Sequence, residues 1–506
     1  MSRINTNVQS LIAQRVLGHN NFTLNKSLER LSTGFRINRG KDDPAGLIAS
    51  ENLRSDIRSI NQAVSNAERA DQVMNIAEGG LQEISSLLTE LQGLLTAAGN
   101  KAGLSKSEKE ANQLQVDSIL QTIDRIAGAT SFQGTKLLNG NFDYSASSIH
   151  AGVKEYKING AKFEGSALEV DVIVTASAQQ AGLFLSNAAT SLDLGAGSSF
   201  VFEVGGALGS REFTFASSVT LSDVVSAINS FTDVTGVKAT VSGTGIRLDS
   251  EQYGSDEFVS LKIVDDGGIG TASNIGIYSL TANNTALAAT GSHTDFDATD
   301  AKNGIRDNGQ NIGASVNGIL ATANGRTLRV NTDFLDVEMT LSAASAQTLG
   351  ALGSRAFAIT GGGADFQLAS DVNIAGKVSI GIQDVAIRNL GREDLGYLDD
   401  LASGKQFNLV AGNNLSDAQK VVDAAIDRIS RLRGRLGAFQ KNTLGSTIRS
   451  LQITSENTQA AESAIRDTDF AKETAELTRS QILVSSATNI LSLANQSPQS
   501  ALQLLG

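Results

Sequence analysis

Apolar residues recur at two different periods along the chain, and the change of period divides it into three parts. Leu81, Ile84, Leu88, Leu91 and Leu95 follow one another at alternating spacings of three and four residues, the seam of a coiled coil. With Asp42-Asp43-Pro44 as a start signal, they predict a helix from Pro44 to about Ala98. At roughly 1.5 Å per residue it would be about 80 Å long. Gly99 and Gly103 bracket a break, and Val116, Leu120, Ile123 and Ala127 predict a second helix ending near Gly128. Toward the other end Ala425, Ile429, Leu432, Leu436 and Phe439 repeat the pattern behind a Ser416-x-x-Gln419 capping box. Leu483, Ala487, Ile490 and Ala494 repeat it once more. Segments 4–33 and 458–496 are helical but thin, with Asn, Gln, Ser and Thr between the apolar positions. Ordering costs about 1–2 kcal/mol per residue, so these ends are expected to be mobile alone and to order on association.

Between Phe142 and Lys405 the period becomes two. Phe200, Phe202 and Val204 alternate, and Phe213–Phe215, Val237–Val241, Ile246–Leu248 and Phe258–Val264 read as strands between Gly, Asp and Ser turns. Thr220-x-x-Asp223 caps one short helix carrying Val224, Val225, Ile228 and Phe231, so 198–266 predicts a β-β-α-β-β-β unit. Asn324-Gly325 marks a hairpin, followed by alternating Leu335, Val337, Met339 and Leu341. The stretch Gly206–Arg211 recurs unchanged as Gly350–Arg355, either a duplicated module or chance. The fold class is α+β and multidomain: a long antiparallel coiled-coil bundle of paired N- and C-terminal segments with a β-rich outer insertion.

Charge follows the same division. Residues 1–142 carry 15 basic and 14 acidic groups, 405–506 carry 11 and 9, and the middle carries 15 and 30. Near-neutral ends can pack together, while an acidic middle repels its copies and favours water. The acidic balance also argues against nucleic-acid binding. No apolar run is long enough to span a membrane, and the first residues lack the apolar core of a secretory signal. With no Cys and three scattered His, cysteine chemistry and most metal sites are excluded, and no cofactor is expected. Asp265-Asp266, Asp295-Phe-Asp297 and Asp399-Asp400 read as turn carboxylates, Asn283-Asn-Thr285 as an unused sequon. Arg428, Arg431, Arg433 and Arg435 form a basic cluster, either solvated and ion-paired or reaching acids such as Asp117 and Asp124 of a neighbouring molecule.

The termini carry a resemblance. Leu31-Ser-Thr-Gly-Phe-Arg-Ile-Asn-Arg-Gly-Lys-Asp-Asp-Pro-Ala-Gly46, Glu78-Gly-Gly-Leu-Gln-Glu-Ile84 and Thr130-Ser-Phe-Gln-Gly-Thr-Lys-Leu-Leu138 resemble the N-terminal region of bacterial flagellins. Ile465-Arg-Asp-Thr-Asp-Phe-Ala-Lys-Glu473, Arg479-Ser-Gln-Ile-Leu483 and Ala494-Asn-Gln-Ser-Pro-Gln499 resemble the C-terminal region. Segments 198–266 and 315–341 are similar to insert modules of the same family.

The resemblance implies a structural subunit of the helical flagellar filament, not an enzyme. Segments 1–42 and 456–506 would form the inner tube, with Ile4, Val8, Leu11, Leu483, Ala487, Ile490 and Ala494 on the terminal helices. Segments 43–142 and 405–455 would form the helical layer around it, with a β-hairpin near 131–150 implicated in packing switches. Residues 143–404 would face outward as one or two subdomains. The partners implied are further copies of the chain, other flagellins, the flagellar type III export apparatus, an export chaperone, and the filament cap and hook-associated proteins. Export without a cleaved signal peptide to an extracellular filament is expected. A hook–filament junction protein, or an adhesin with flagellin-like ends, is the alternative. One departure stands out: many flagellins engage an innate immune receptor through Gln-Arg with a Leu four residues on, and the matching positions here read Thr89, Glu90 and Leu94.

Overall fold

The computed structural model describes residues 6–100, 103–194, 198–269, 275–280, 293–410 and 414–503. Ile4 and the Asn283 sequon lie outside the described residues. The long helices are α1 (Val8–Thr33), α2 (Pro44–Ala98) and α3 (Lys106–Ala129) near the start, and a shorter α4 (Leu221–Asn229) follows in the middle. Near the end come α5 (Leu415–Ala438), α6 (Gly445–Arg466) and α7 (Phe470–Gln503). A π-helical turn, Phe439–Leu444, joins α5 to α6. The chain forms two compact units. One comprises Met1–Gln72, Phe366–Lys377 and Gly437–Gly506, and the other Val73–Asp365 and Val378–Leu436.

In the first unit α1 lies antiparallel to α7. Asn7 donates to the Ala494 carbonyl at 2.8 Å, Asn20 donates to that of Leu483 at 3.3 Å, and Arg30 pairs with Glu473 at 3.3 Å. The breaks that end α1 and α6 meet in register. Gly34 takes φ +77° to close α1, Arg36 N donates to Arg466 O, and Thr468 N donates to Gly34 O. The Arg466 guanidinium lies 4.5 Å from the Phe35 ring centroid. The break at Asp467–Asp469 was not expected from the sequence pattern. The opening part of α2 runs beside α6, with Ser455 bonded to Asn61 and Gln440 to Asp71. Asp43 caps α2 as expected, accepting from Gly46 N at 2.9 Å.

The second unit holds the bundle and the β-rich middle. The rest of α2 is antiparallel to α5: Gln92 donates to Asp423 at 2.7 Å, and Arg433 pairs with Glu78 at 2.8 Å. Buried Gln113 pins α3 to the returning chain, donating to Leu401 O and accepting from Leu409 N. A buried amide held on both sides costs little, whereas an unmet one would cost about 1–3 kcal/mol. The expected capping box at Ser416 does not form. Helix α5 begins at Leu415, which places Ser416 inside its first turn, where its hydroxyl donates to Asp233.

The hairpin near 131–150 is shorter than expected. Ser131–Phe132 pairs with Thr135–Lys136 across Gln133-Gly134, both at positive φ. The later strand Tyr144–Ser147 pairs instead with Phe357–Gly362.

The middle has two apolar cores. One gathers Phe200, Phe202, Phe213, Leu221, Val224 and Ile228 between two four-stranded sheets and α4. It contains the expected β-β-α-β-β-β order, with one additional short helix, Thr232–Thr235. The other gathers Val174, Leu328, Val337, Met339 and Phe357. The repeated hexapeptide is no duplication. Gly206–Gly209 closes a hairpin, whereas Gly350-Ala351 pairs as a short strand with Ile173 and Val174.

Candidate assembly surface

Burial separates the helical apolar positions into two classes. Leu81, Ile84, Leu88 and Leu91 are fully buried, and Leu95, Leu120, Ile123, Ala425, Ile429, Leu432 and Leu436 nearly so. Phe439 is half-buried, its ring 6.4 Å from that of Phe366. Apart from Phe439, the bundle seam is therefore covered within its own chain, which leaves those residues almost no apolar surface to offer a neighbour.

The terminal pair is built the other way round. The well-buried positions of α1 and α7 include small residues: Ser10, Ala13 and Ser27 on one helix, Ser480 and Ala487 on the other. Small side chains let two helices approach closely, and Ser10 uses that proximity to donate to Asn495 at 2.7 Å. The large apolar side chains point elsewhere. Val8 is 53% exposed, Leu11 57%, Phe22 60%, Ile482 61%, Ile490 59% and Leu493 69%, and Leu483 is 45% exposed. Ala494 is half-buried. Apart from Ala487 this class was missed in the sequence, because a Ser/Ala stripe carries no signal on a hydrophobicity pattern.

The basic cluster is spent inside the chain. Arg428 donates to Asn389 O, Arg431 pairs with Asp427, Arg433 with Glu78, and Arg435 donates to Gly381 O. Asp117 accepts from Ser403 and Gln113, and Asp124 from Ile387 N. Those hydrogen bonds hold the Asp117 carboxyl below its usual range against the opposing effect of burial. Pairing of these acids with arginines of another copy is thus not needed to satisfy either set. Thr89 and Glu90 are exposed on α2, and Leu94 is half-buried. Among the described residues no cluster of His, Asp and Glu could hold a metal ion, and no helix is long and apolar enough to cross a membrane.

The pair thus has a small-residue seam inside and large apolar residues left uncovered within the chain. Comparison with known proteins gives the family. The family model for the bacterial flagellin N-terminal helical region matches residues 4–143, and that for the C-terminal helical region matches 419–505. The flagellin hook IN motif matches 199–251, the β-β-α-β-β part of the first middle core. Polar flagellin A of Vibrio parahaemolyticus is 28% identical, over 99% of both chains. The B-type flagellin of Pseudomonas aeruginosa is 29% identical and a flagellin of Salmonella choleraesuis 28%, again over 99% of both chains. The chain belongs to the bacterial flagellins, the structural subunits of the flagellar filament.

Proposed function

We propose that the chain polymerises through its terminal helix pair, and that the resulting extracellular filament serves swimming motility. The observation that carries this reading is the exposure of Val8, Leu11, Ile12, Val16, Phe22 and Leu28 on α1 together with Ile482, Leu483, Ile490 and Leu493 on α7. Burying a large aliphatic side chain contributes about 1.5–3 kcal/mol. Half-covering such a set amounts to something on the order of 10 kcal/mol per subunit, comparable to the cost of immobilising a partner. The same side chains in water offset none of that cost.

In this reading 1–42 and 456–506 line the tube, 43–142 and 405–455 surround it, and 143–404 projects outward. The acidic balance of the middle supports the last assignment, because like charge keeps neighbouring projections solvated. The role is structural, with no catalytic step. Passage through a type III export apparatus, escort by a chaperone, and contacts with the filament cap and hook-associated proteins belong to the same proposal.

The test is seeded growth. Chains lacking residues 1–20 or 487–506 should keep the middle folded and add nothing to filament seeds, whereas the full chain elongates them. Normal filaments from either truncation would refute assembly through the ends.

A further inference from the structure

The second unit contains a polar cavity that assembly does not use. Its volume is about 230 Å³, and its lining includes Asp143, Tyr156, Gln383, Asp384, Tyr397 and Arg428. At about 30 Å³ per molecule it has room for some seven waters.

Several of its groups keep hydrogen-bonding capacity. Gln383 is only 6% exposed, yet its side-chain amide makes no hydrogen bond to the described residues. The amide is not sealed in the core but opens onto the cavity, where it is free to bond an occupant. The Tyr156 phenol, half-buried and stacked at 5.3 Å on Phe357, likewise has no partner among the described residues. Asp143 accepts from the backbone N–H groups of Tyr144 and Asp384 and forms no ion pair among the described residues. Burial pushes its carboxyl above the usual range. Arg428 is held only through the Asn389 carbonyl.

The charged side chains that line the cavity balance, Asp143 and Asp384 against Lys157 and Arg428. Asp384 is neutralised by Arg388 at 2.6 Å, and Lys157 by Glu155 at 3.1 Å and Glu338 at 3.9 Å. Arg428 and Asp143 oppose each other without a direct bond. An anionic ligand would meet the Asp143 carboxyl, and a cationic one the Arg428 guanidinium. A hydroxyl both donates and accepts, and so satisfies an amide, a phenol, a carboxyl and a guanidinium alike. Three tyrosines in the wall, Tyr144, Tyr156 and Tyr397, add faces for the C–H side of a ring. The volume lies below the roughly 300–1,000 Å³ of drug-sized pockets, which limits the occupant to one small ring. We propose that this cavity binds a single neutral polyhydroxylated molecule of monosaccharide size.

Saturation-transfer NMR on the full-length monomer tests this with glucose, galactose, mannose and N-acetylglucosamine, and with inorganic phosphate and glycine betaine as charged and zwitterionic competitors. At least one sugar should bind saturably with a millimolar Kd or tighter. Gln383→Met, which keeps the shape and removes the amide, should weaken it about tenfold or more. Tyr397→Phe, at a half-buried position, should weaken it without altering the thermal midpoint, and it carries the test if Gln383→Met does not fold. Absence of saturable binding for all four sugars would overturn the proposal. So would tighter binding of phosphate or betaine, or folded variants that bind as the parent does.

Discussion

Asp233 and Lys420 meet at 2.8 Å, and through them the short helix Thr232–Thr235 after α4 is tied to the start of helix α5. Ser416, on the same face of α5, donates to the other carboxylate oxygen of Asp233 at 3.4 Å. The hook IN motif module therefore touches the bundle through a charged contact as well as through the chain that connects them.

That contact predicts a weak, salt-dependent tether. The Lys420 ammonium holds the Asp233 carboxyl below its usual range, and the hydrogen bond to Asp233 holds Lys420 above its own. A depressed carboxyl stabilises the fold above its unfolded pKa and loses that as pH falls through its folded value. A raised ammonium stabilises below its unfolded pKa and loses that as pH rises through its folded value. The pair is thus intact across neutral pH and fails at both extremes. Asp233 and Lys420 are both substantially exposed, so Lys420→Ala should cost no more than about 1 kcal/mol. The loss should shrink in high salt, as chemical denaturation would read.

Leu88→Asp and Leu11→Asp should fail in opposite ways. Leu88 is fully buried and Leu11 is 57% exposed. An unpaired carboxylate at Leu88 is destabilising by several kcal/mol and should abolish much of the monomer's helicity in circular dichroism. Leu432→Asp, also at a buried position, should behave likewise. Leu11→Asp or Ile490→Asp should leave the monomer spectrum and melting temperature nearly unchanged while stopping seeded elongation.

Gly80 explains a feature of the Glu78–Ile84 motif that hydrophobic periodicity does not. A Cβ at this position would lie 2.8 Å from Leu138 Cδ1 and 2.8 Å from Thr130 Oγ1. Leu138 is fully buried. The glycine lets the segment around the Ser131–Lys136 hairpin lie directly on α2. Gly80→Val should destabilise by about 1–3 kcal/mol through overpacking, with faster amide exchange concentrated at 130–138. Exchange unchanged there would disprove the close-approach argument.

Glu90 replaces the arginine of the receptor motif that the family resemblance implies, and it is exposed on α2. Its negative charge reverses the sign at that contact. The chain should therefore activate the receptor poorly in a cell reporter assay, and Glu90→Arg should raise its potency. Full potency of the unaltered chain at nanomolar-scale doses would contradict this.

The long elements were legible because each has a side of large apolar residues. Leu81–Leu95 and Ala425–Leu436 could be placed on helices from spacing alone, and so could the strand Leu335–Leu341, whose apolar positions are all buried. What stayed illegible depends on groups that carry no such pattern. The register of the breaks after Thr33 and Arg466 rests on backbone hydrogen bonds between Gly34, Arg36, Arg466 and Thr468. The π-helical turn at Phe439–Leu444 continues the helical spacing, so nothing in the sequence announced it. Of the buried stripe only Ala487 was picked out; Ser10, Ala13, Ser27 and Ser480 were hidden because they are weakly hydrophobic or polar. The cavity at Gln383 was hidden for a related reason: its lining converges from segments far apart in the chain.

The stripe of small residues has a consequence for the life of the free subunit. By spending Ser and Ala on the inside of the pair, the chain keeps its adhesive side chains outermost. An unpolymerised copy is therefore an aggregation hazard to its own kind, and the hazard grows with concentration. Stockpiling such a molecule in a crowded cell requires something to shield its ends, or delivery to a growing tip fast enough that they never meet.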